Sequence, residues 1–321
     1  MKQRTVGRSG LKVSHLGLGT ATWGRETDAD EAAAQLVSFH DAGGTLVDTA
    51  VSYGYGAAEQ ILGSLLADVV PRSDLIVATK AGITRTPEDR VIDASRGALL
   101  RGLDQSLRSL GTDYIDLWYV HYVDDTVPFD ETLSALDAAV AAGKVRYVGV
   151  SNYCGWRVAR AATWQQAEPG RAPVVANQVR YSLLDRGVER EVIPACAALG
   201  IGVLPYSPLG GGVLTGKYRT GMPTDSRAAT GGADVAPMQA TTLGIVEAVA
   251  TAAEGLATAP VAVALAWLRD KPGVTAPILG ARTLGQLTAA LACETLDLPQ
   301  EIREALDDVS APVLGYPEDL S

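Results

Sequence analysis

Nowhere in these 321 residues does a G-x-G-x-x-G turn occur, so the pyrophosphate loop of an open dinucleotide-binding sheet is missing. Cysteine is scarce. Cys154, Cys196 and Cys293 are scattered and odd in number, which argues against a disulfide framework and for a reducing compartment, and their spacing fits no metal site. No lysine or arginine cluster is present. With 27 basic against 37 acidic side chains the net charge is −10, which speaks against sustained contact with nucleic acid or an anionic membrane, although a local basic spot could still hold a phosphate. No apolar run approaches the roughly 20 residues that a membrane helix needs. The basic start Met-Lys-Gln-Arg-Thr-Val has no apolar segment behind it, so no secretion signal is read. A cytoplasmic protein is expected.

What is present is a repeated alternation. After a hairpin through Arg4-Thr5-Val6 and Lys12-Val13, turning at Arg8-Ser9-Gly10, eight short apolar runs are each followed by a stretch of helical periodicity. The first run is 15–19, with a helix over 30–42 closed by Gly43-Gly44. Runs ending in Asp48, Lys80 and His121 follow, with helices expected over 58–67, 93–110 and 129–142. The second half repeats the pattern at 147–150, 174–178, 201–205 and 276–279. Strands joined through helices are parallel. Eight such units without a composition break predict a (β/α)8 TIM barrel with an N-terminal β-hairpin, one domain over 1–321, and 47% hydrophobic residues are ample for its core. An open doubly wound sheet is the alternative.

Asp48, Tyr53, Lys80 and His121 stand at or just after the C-terminal ends of three successive runs, the face on which such folds place their chemistry. A phenol is a weak acid near neutral pH, with a reference pKa of about 10, and a neighbouring ammonium favours its phenolate. Lys80 supplies that charge. A buried ammonium needs a partner, and Asp48 on the adjacent run can accept from it, leaving His121 to orient or polarise a carbonyl. Singly, each residue has a plain structural reading as a cap, a loop tyrosine, a solvated strand end or a core histidine. A glycine-rich stretch, Gly211-Gly212-Val213-Leu214-Thr215-Gly216-Lys217-Tyr218, nearly spells a P-loop, but Tyr218 stands where Mg²⁺ needs a hydroxyl. Its backbone N–H groups and one lysine suit another diphosphate, or it is a plain surface loop.

Several motifs, taken in order, carry a resemblance: Asp48-Thr49-Ala50-Val51-Ser52-Tyr53-Gly54, Thr79-Lys80, Leu117-Trp118-Tyr119-Val120-His121 and Gly149-Val150-Ser151-Asn152. Asn177-Gln178, Tyr206-Ser207-Pro208-Leu209 and Gly280-Ala281-Arg282-Thr283 continue it over nearly the whole chain. The sequence resembles the aldo-keto reductases. That resemblance implies hydride transfer from NADPH (or the reverse, to NADP⁺) at the carbonyl of an aldehyde or ketone, with Tyr53 protonating the alkoxide. It implies that Ser151, Asn152 and Gln178 hold the nicotinamide carboxamide and that Tyr206 stacks on the ring. Ser207, Leu209, Gly211 and Lys217 then take the pyrophosphate, and Gly280, Arg282 and Gln286 the 2′-phosphate end, where a guanidinium at a helix N-terminus pairs well with phosphate.

Two positions depart from the family pattern. Ala290 stands where many relatives carry an adenine-holding asparagine, and Gly56-Ala57-Ala58-Glu59 replaces Gly-x-Ser-Glu, removing a capping hydroxyl. Trp23 and Tyr122, with Tyr55, Tyr153 and Trp156, lie in loops on the active face and could line a substrate pocket. The stretch 218–240 is expected to be a mobile loop over the dinucleotide, and the tail 310–321 to reach the pocket. Oligomeric state and substrate stay open. A general carbonyl reductase, a dedicated biosynthetic ketoreductase acting on a keto-sugar or polyketide, and a non-catalytic NADPH-sensing regulatory subunit are the three functional expectations.

Overall fold

In the computed structural model, which describes residues 1–85, 89–219, 221, 224, 226, 229, 235–312 and 315, the chain begins with a hairpin. Its strands β1 (Gln3–Thr5) and β2 (Lys12–Ser14) pair antiparallel, with Arg4 opposite Val13. Then come β3 (Gly17–Gly19), α1 (Ala29–Asp41), β4 (Leu46–Asp48), α2 (Ala57–Asp68) and β5 (Ile76–Ala81). An antiparallel pair, β6 (Ile83–Arg85) and β7 (Arg90–Ile92), precedes α3 (Arg96–Leu110). The chain continues through β8 (Ile115–Val120), α4 (Phe129–Ala141), β9 (Val145–Ser151), α5 (Gly155–Gln166), β10 (Val174–Arg180), α6 (Val192–Leu199) and β11 (Gly202–Tyr206). Helices α7 (Ala240–Gly255) and α8 (Pro260–Arg269) separate β11 from β12 (Ile278–Gly280), and α9 (Leu284–Leu291) and α10 (Gln300–Val309) end the series.

Eight of these strands form one parallel sheet in the order β11-β10-β9-β8-β5-β4-β3-β12. The sheet closes on itself. Val203 in β11 bridges Val274 just ahead of β12, and the Thr275 N–H donates to the Val203 carbonyl at 2.8 Å. The result is the expected TIM barrel with its N-terminal hairpin. Buried residues fall into two cores: a large one between strands and helices, and a smaller one inside the barrel. The hairpin plugs the inner core with Val6, Leu11 and Val13, packed against Leu46, Ala78, Leu117 and Leu204. Burying each such side chain contributes about 1.5–3 kcal/mol, which holds the hairpin on the barrel's N-terminal end and leaves the opposite mouth open.

Local chemistry sets the helix ends. Asp28 caps α1 by accepting the Glu31 N–H at 2.9 Å, with Asp30 and Glu31 in the first turn where the helix dipole favours carboxylates. Ser95 caps α3, and Gly111, at φ 60°, ends it. The helix expected over 93–110 thus begins later, because Arg90–Ile92 pairs with Ile83–Arg85 and turns out of the helix path. Nearly half of 218–240 and most of 310–321 lie outside the described residues. Within the first, Tyr218 is buried, and Ala236 donates its N–H to Gly210 at 3.2 Å. Among the described residues, no single helix is long and apolar enough to cross a membrane.

Candidate active site

Parallel register brings the strand ends together. Asp48 closes β4, Lys80 lies near the end of β5 opposite Tyr119 of β8, and His121 follows β8 directly. The turn after β4 carries Tyr53 back over them; within it Gly54 and Tyr55 both adopt φ 56°, and Gly56 reaches φ 97°. A side chain at 54 would meet the Trp23 carbonyl at 2.8 Å, so glycine is needed there for the close approach.

Lys80 is fully buried, and its ammonium donates to Asp48 Oδ1 at 2.5 Å, to the Thr49 carbonyl at 2.9 Å and to the Tyr53 hydroxyl at 3.3 Å. Burial works to lower the lysine pKa, but Asp48 and Tyr53 outweigh it and hold the ammonium charged above its usual range. For Tyr53 the balance runs otherwise. Burial raises the phenol above its ordinary value and Asp48 adds to that, while Lys80 pulls it back. The expected acidifying pull of Lys80 is therefore present without being the larger effect in this state. His121 is buried, its ring edge-on to Tyr53 with centroids 6.0 Å apart.

The carboxamide set joins the same network. Gln178 Nε2 donates to Asp48 Oδ2 at 2.8 Å, and Ser151 Oγ donates to the Gln178 carbonyl at 3.0 Å. Asn152, at φ 62°, donates to the His121 carbonyl at 3.2 Å and to Ser151 Oγ at 3.0 Å, and accepts the Tyr206 hydroxyl at 2.9 Å. One chain of hydrogen bonds thus runs from Tyr206 at the end of β11 to Tyr53 after β4. A non-glycine residue in the left-handed region costs of order 1 kcal/mol or more, and such strain collects at ligand clamps. Ser207, at φ 50°, joins Asn152 and Tyr55 as a third such residue at this mouth.

Next to it Leu209 leads into a tight turn, Gly210–Thr215, in which Gly210, Gly211 and Gly212 have φ 57°, 70° and 92°. A Cβ at 212 would stand 3.0 Å from the Lys217 ammonium, so the glycine lets that charge lie against the turn's backbone. This cradle suits a diphosphate. Gly280 ends β12, and Arg282 follows it. Thr283 caps α9 by accepting the Gln286 N–H at 3.3 Å, while Gln286 Oε1 accepts the Arg282 N–H at 3.0 Å, a reciprocal cap that fixes the backbone of Arg282. Ala290 is buried on the inner side of α9.

The model of the aldo/keto reductase family matches residues 15–311. The chain belongs to that family. It is 36% identical over 319 residues to an uncharacterized oxidoreductase of Bacillus subtilis, covering 96% of both chains. With the L-glyceraldehyde 3-phosphate reductase of Escherichia coli it shares 35% over 298 residues, covering 89% of this chain and 86% of the relative. A probable voltage-gated potassium channel subunit beta of Oryza sativa is 34% identical over 329 residues, 99% of this chain and 98% of the relative. As an aldo-keto reductase the chain is an oxidoreductase of the nicotinamide-dependent, carbonyl-reducing kind.

The substrate side differs from the sequence expectation. Trp23 has no exposed surface; its indole N–H donates to Gln35 at 3.3 Å and its ring packs in the outer core, so it serves the scaffold and not an open pocket wall. Tyr153 is likewise buried, whereas Tyr55 and Trp156 are exposed and Tyr122 is half-buried at the mouth. Tyr122 lies against His121 with ring centroids 5.3 Å apart. A separate cleft of about 490 Å³, lined by Ser52, Tyr55, Gly82, Arg101, Gln105 and Arg108, is lined by none of the four catalytic candidates.

Two buried groups escaped the sequence reading. Tyr119 has its hydroxyl beside Gln178 and Asp48, and burial pushes its pKa well up, so it stays a neutral phenol. Its position two residues before His121 puts it on the same side of the strand, which is the signal that could have found it. Glu59, fully buried on α2, accepts the Thr79 hydroxyl at 2.6 Å, and burial raises its carboxyl pKa. It ties the Tyr53 turn to the strand bearing Lys80.

Proposed function

We propose that this chain is an NADPH-dependent reductase of small aldehydes or ketones in which Tyr53 donates the proton. The observation that carries the reading is the position of one buried ammonium, donating at once to Asp48 and to the Tyr53 hydroxyl. Because Tyr53 accepts from Lys80, its own O–H is left for another acceptor. A carbonyl oxygen between Tyr53 and His121 is such an acceptor.

The cradle at Gly210–Thr215 with Lys217, the strained Asn152 and Ser207, and Arg282 on its reciprocal cap fit a phosphorylated dinucleotide. Ser151, Asn152 and Gln178 would hold its carboxamide, and Tyr206 would lie along the ring. Bound there, it supplies a hydride to the carbonyl carbon. As negative charge gathers on the carbonyl oxygen, Tyr53 gives up its proton to form the alcohol, and the ammonium of Lys80 stabilises the phenolate left behind. Asp48 keeps Lys80 charged and in place, with Gln178 holding the second carboxylate oxygen. His121 orients the carbonyl.

The relative named for L-glyceraldehyde 3-phosphate makes short aldehydes the first compounds to try. The channel-subunit relative favours a second reading, an NADPH-sensing regulatory subunit, against which the intact network of Asp48, Tyr53, Lys80 and His121 weighs. A panel of aldehydes, sugar ketones and aromatic ketones, read by loss of NADPH absorbance, tests all of this. Turnover of at least one carbonyl is expected, and none across the panel would favour the sensor. In a fluorescence titration NADPH should bind more than about tenfold tighter than NADH, as a charge-assisted phosphate contact is worth. Arg282→Ala should remove most of that preference; equal affinities in the wild type would refute the assignment of Arg282.

A further inference from the structure

Arg90 stands on β7, in the hairpin that the sequence did not foretell, and its guanidinium lies over the ring of Tyr122 at 4.1 Å from the centroid. Tyr122 in turn lies against His121, and His121 meets Tyr53 edge-on. The stack leads from the solvent side directly to the group that orients the carbonyl. Arg90 is exposed and pairs with no carboxylate among the described residues. Nearby acids are engaged elsewhere: Asp89 takes the backbone N–H of Arg90, Asp93 that of Ser95, Asp124 those of Ala94 and Thr126, and Asp125 pairs with Arg157. Lys80, buried deeper in the same mouth, is already neutralised by Asp48.

We propose that Arg90, held on the Tyr122 ring, is the specificity residue of this mouth and selects carbonyl compounds that carry an anionic group a few bonds from the carbonyl. This rests on the reductase reading and deepens it. An arginine stacked on an aromatic face keeps its fork of N–H donors free along the ring edge, the arrangement that takes a carboxylate or phosphate bidentately. The need for it follows from the net charge of −10, since an anionic substrate approaching an acidic protein requires a local cation where it docks. Phosphate and carboxylate share this chemistry.

The test measures kcat/KM with NADPH for two matched pairs, glyceraldehyde 3-phosphate with glyceraldehyde and succinic semialdehyde with butyraldehyde, in wild type, Arg90→Gln and Arg90→Lys. The anionic member of at least one pair should be preferred, and which pair shows it identifies phosphate or carboxylate as the source. Arg90→Gln should cut that preference by roughly tenfold to a hundredfold, the worth of a hydrogen bond to a charged group. Arg90→Lys, which keeps the charge but loses the fork, should retain part of it. The ratio within a pair is insensitive to a general loss of fold, so a merely structural role for Arg90 leaves it unmoved. A wild type that reduces the neutral aldehydes as well as the anionic ones, or a ratio that Arg90→Gln does not change, overturns the inference while leaving the reductase reading in place. No reduction of any of the four compounds overturns both.

Discussion

Beneath the barrel, beside the hairpin, Arg269 donates to both Asp270 oxygens, at 2.8 and 2.6 Å, and to the carbonyls of Cys293, Glu294 and Leu296. Its five N–H donors are all used. At the opposite mouth the polar groups form a network as dense, but one with capacity left over: the Tyr53 proton is uncommitted, and Asn152 and Ser207 sit in strained backbone. A saturated cluster contributes to stability and can do nothing else, whereas an unsaturated one costs stability and leaves groups available to a ligand. The difference follows the general division of this fold between a stabilising N-terminal face and a reactive C-terminal one.

The largest effect expected is at the reactive end. Tyr53→Phe removes one hydroxyl, so melting temperature and NADPH binding should hardly change while carbonyl reduction falls by roughly 10²–10⁴-fold. Lys80→Met should match it in rate, because Tyr53 then loses the one group that pulls its raised pKa back down. The double variant should be little worse than either single one, since the two act as a unit. Near-normal turnover by Tyr53→Phe would mean that another acid is at work, and the roles given to Lys80 and Asp48 would fall with it.

At the saturated end the same size of substitution should move stability and spare chemistry. Arg269→Ala leaves Asp270 only the longer Arg4 pair at 3.6 Å and takes a donor away from three carbonyls, and should cost about 3 kcal/mol, seen as a lower urea midpoint. Rate per folded molecule should stay close to wild type. Should Arg269→Ala abolish activity at unchanged stability, the contrast between the two ends would be wrong.

Much of this contrast was legible in the sequence because the strands are short and parallel. A residue at the end of one β-branched run must sit beside the ends of its neighbours, so Asp48, Lys80 and His121 could be placed together from order alone. What escaped were contacts between distant segments. Gln178 donating to Asp48, 130 positions apart, has no local signal, and it makes a residue expected to hold only the cofactor a support for the Asp48 carboxylate as well. Trp23 was misplaced for the complementary reason: its loop position says nothing about which way the ring turns, and burying a large aromatic outweighs lining a cleft. The hairpin with Arg90, between the Lys80 run and the helix expected over 93–110, went unread because a three-residue strand carries too little periodicity to register.

The smallest effect sharpens the comparison by pH. His15, buried at the stabilising end, touches Glu294 through Nε2, yet its pKa lies below the ordinary 6.5 because burial outweighs that contact, with Arg4 and Arg269 adding to the depression. The unfolded chain therefore binds a proton more readily than the folded one, and stability must fall as pH drops from about 6.5 toward the folded value. Thermal unfolding at pH 7 and pH 5.5 should show a modest loss on acidification, well above the range in which ordinary carboxylates titrate. His15→Gln should flatten that step while leaving Tyr53-dependent reduction at neutral pH intact. An unchanged step in His15→Gln would place the proton uptake elsewhere; a step that rises on acidification would mean that Glu294 holds the imidazole charged, and the N-terminal cluster would then be an ion-pair network throughout.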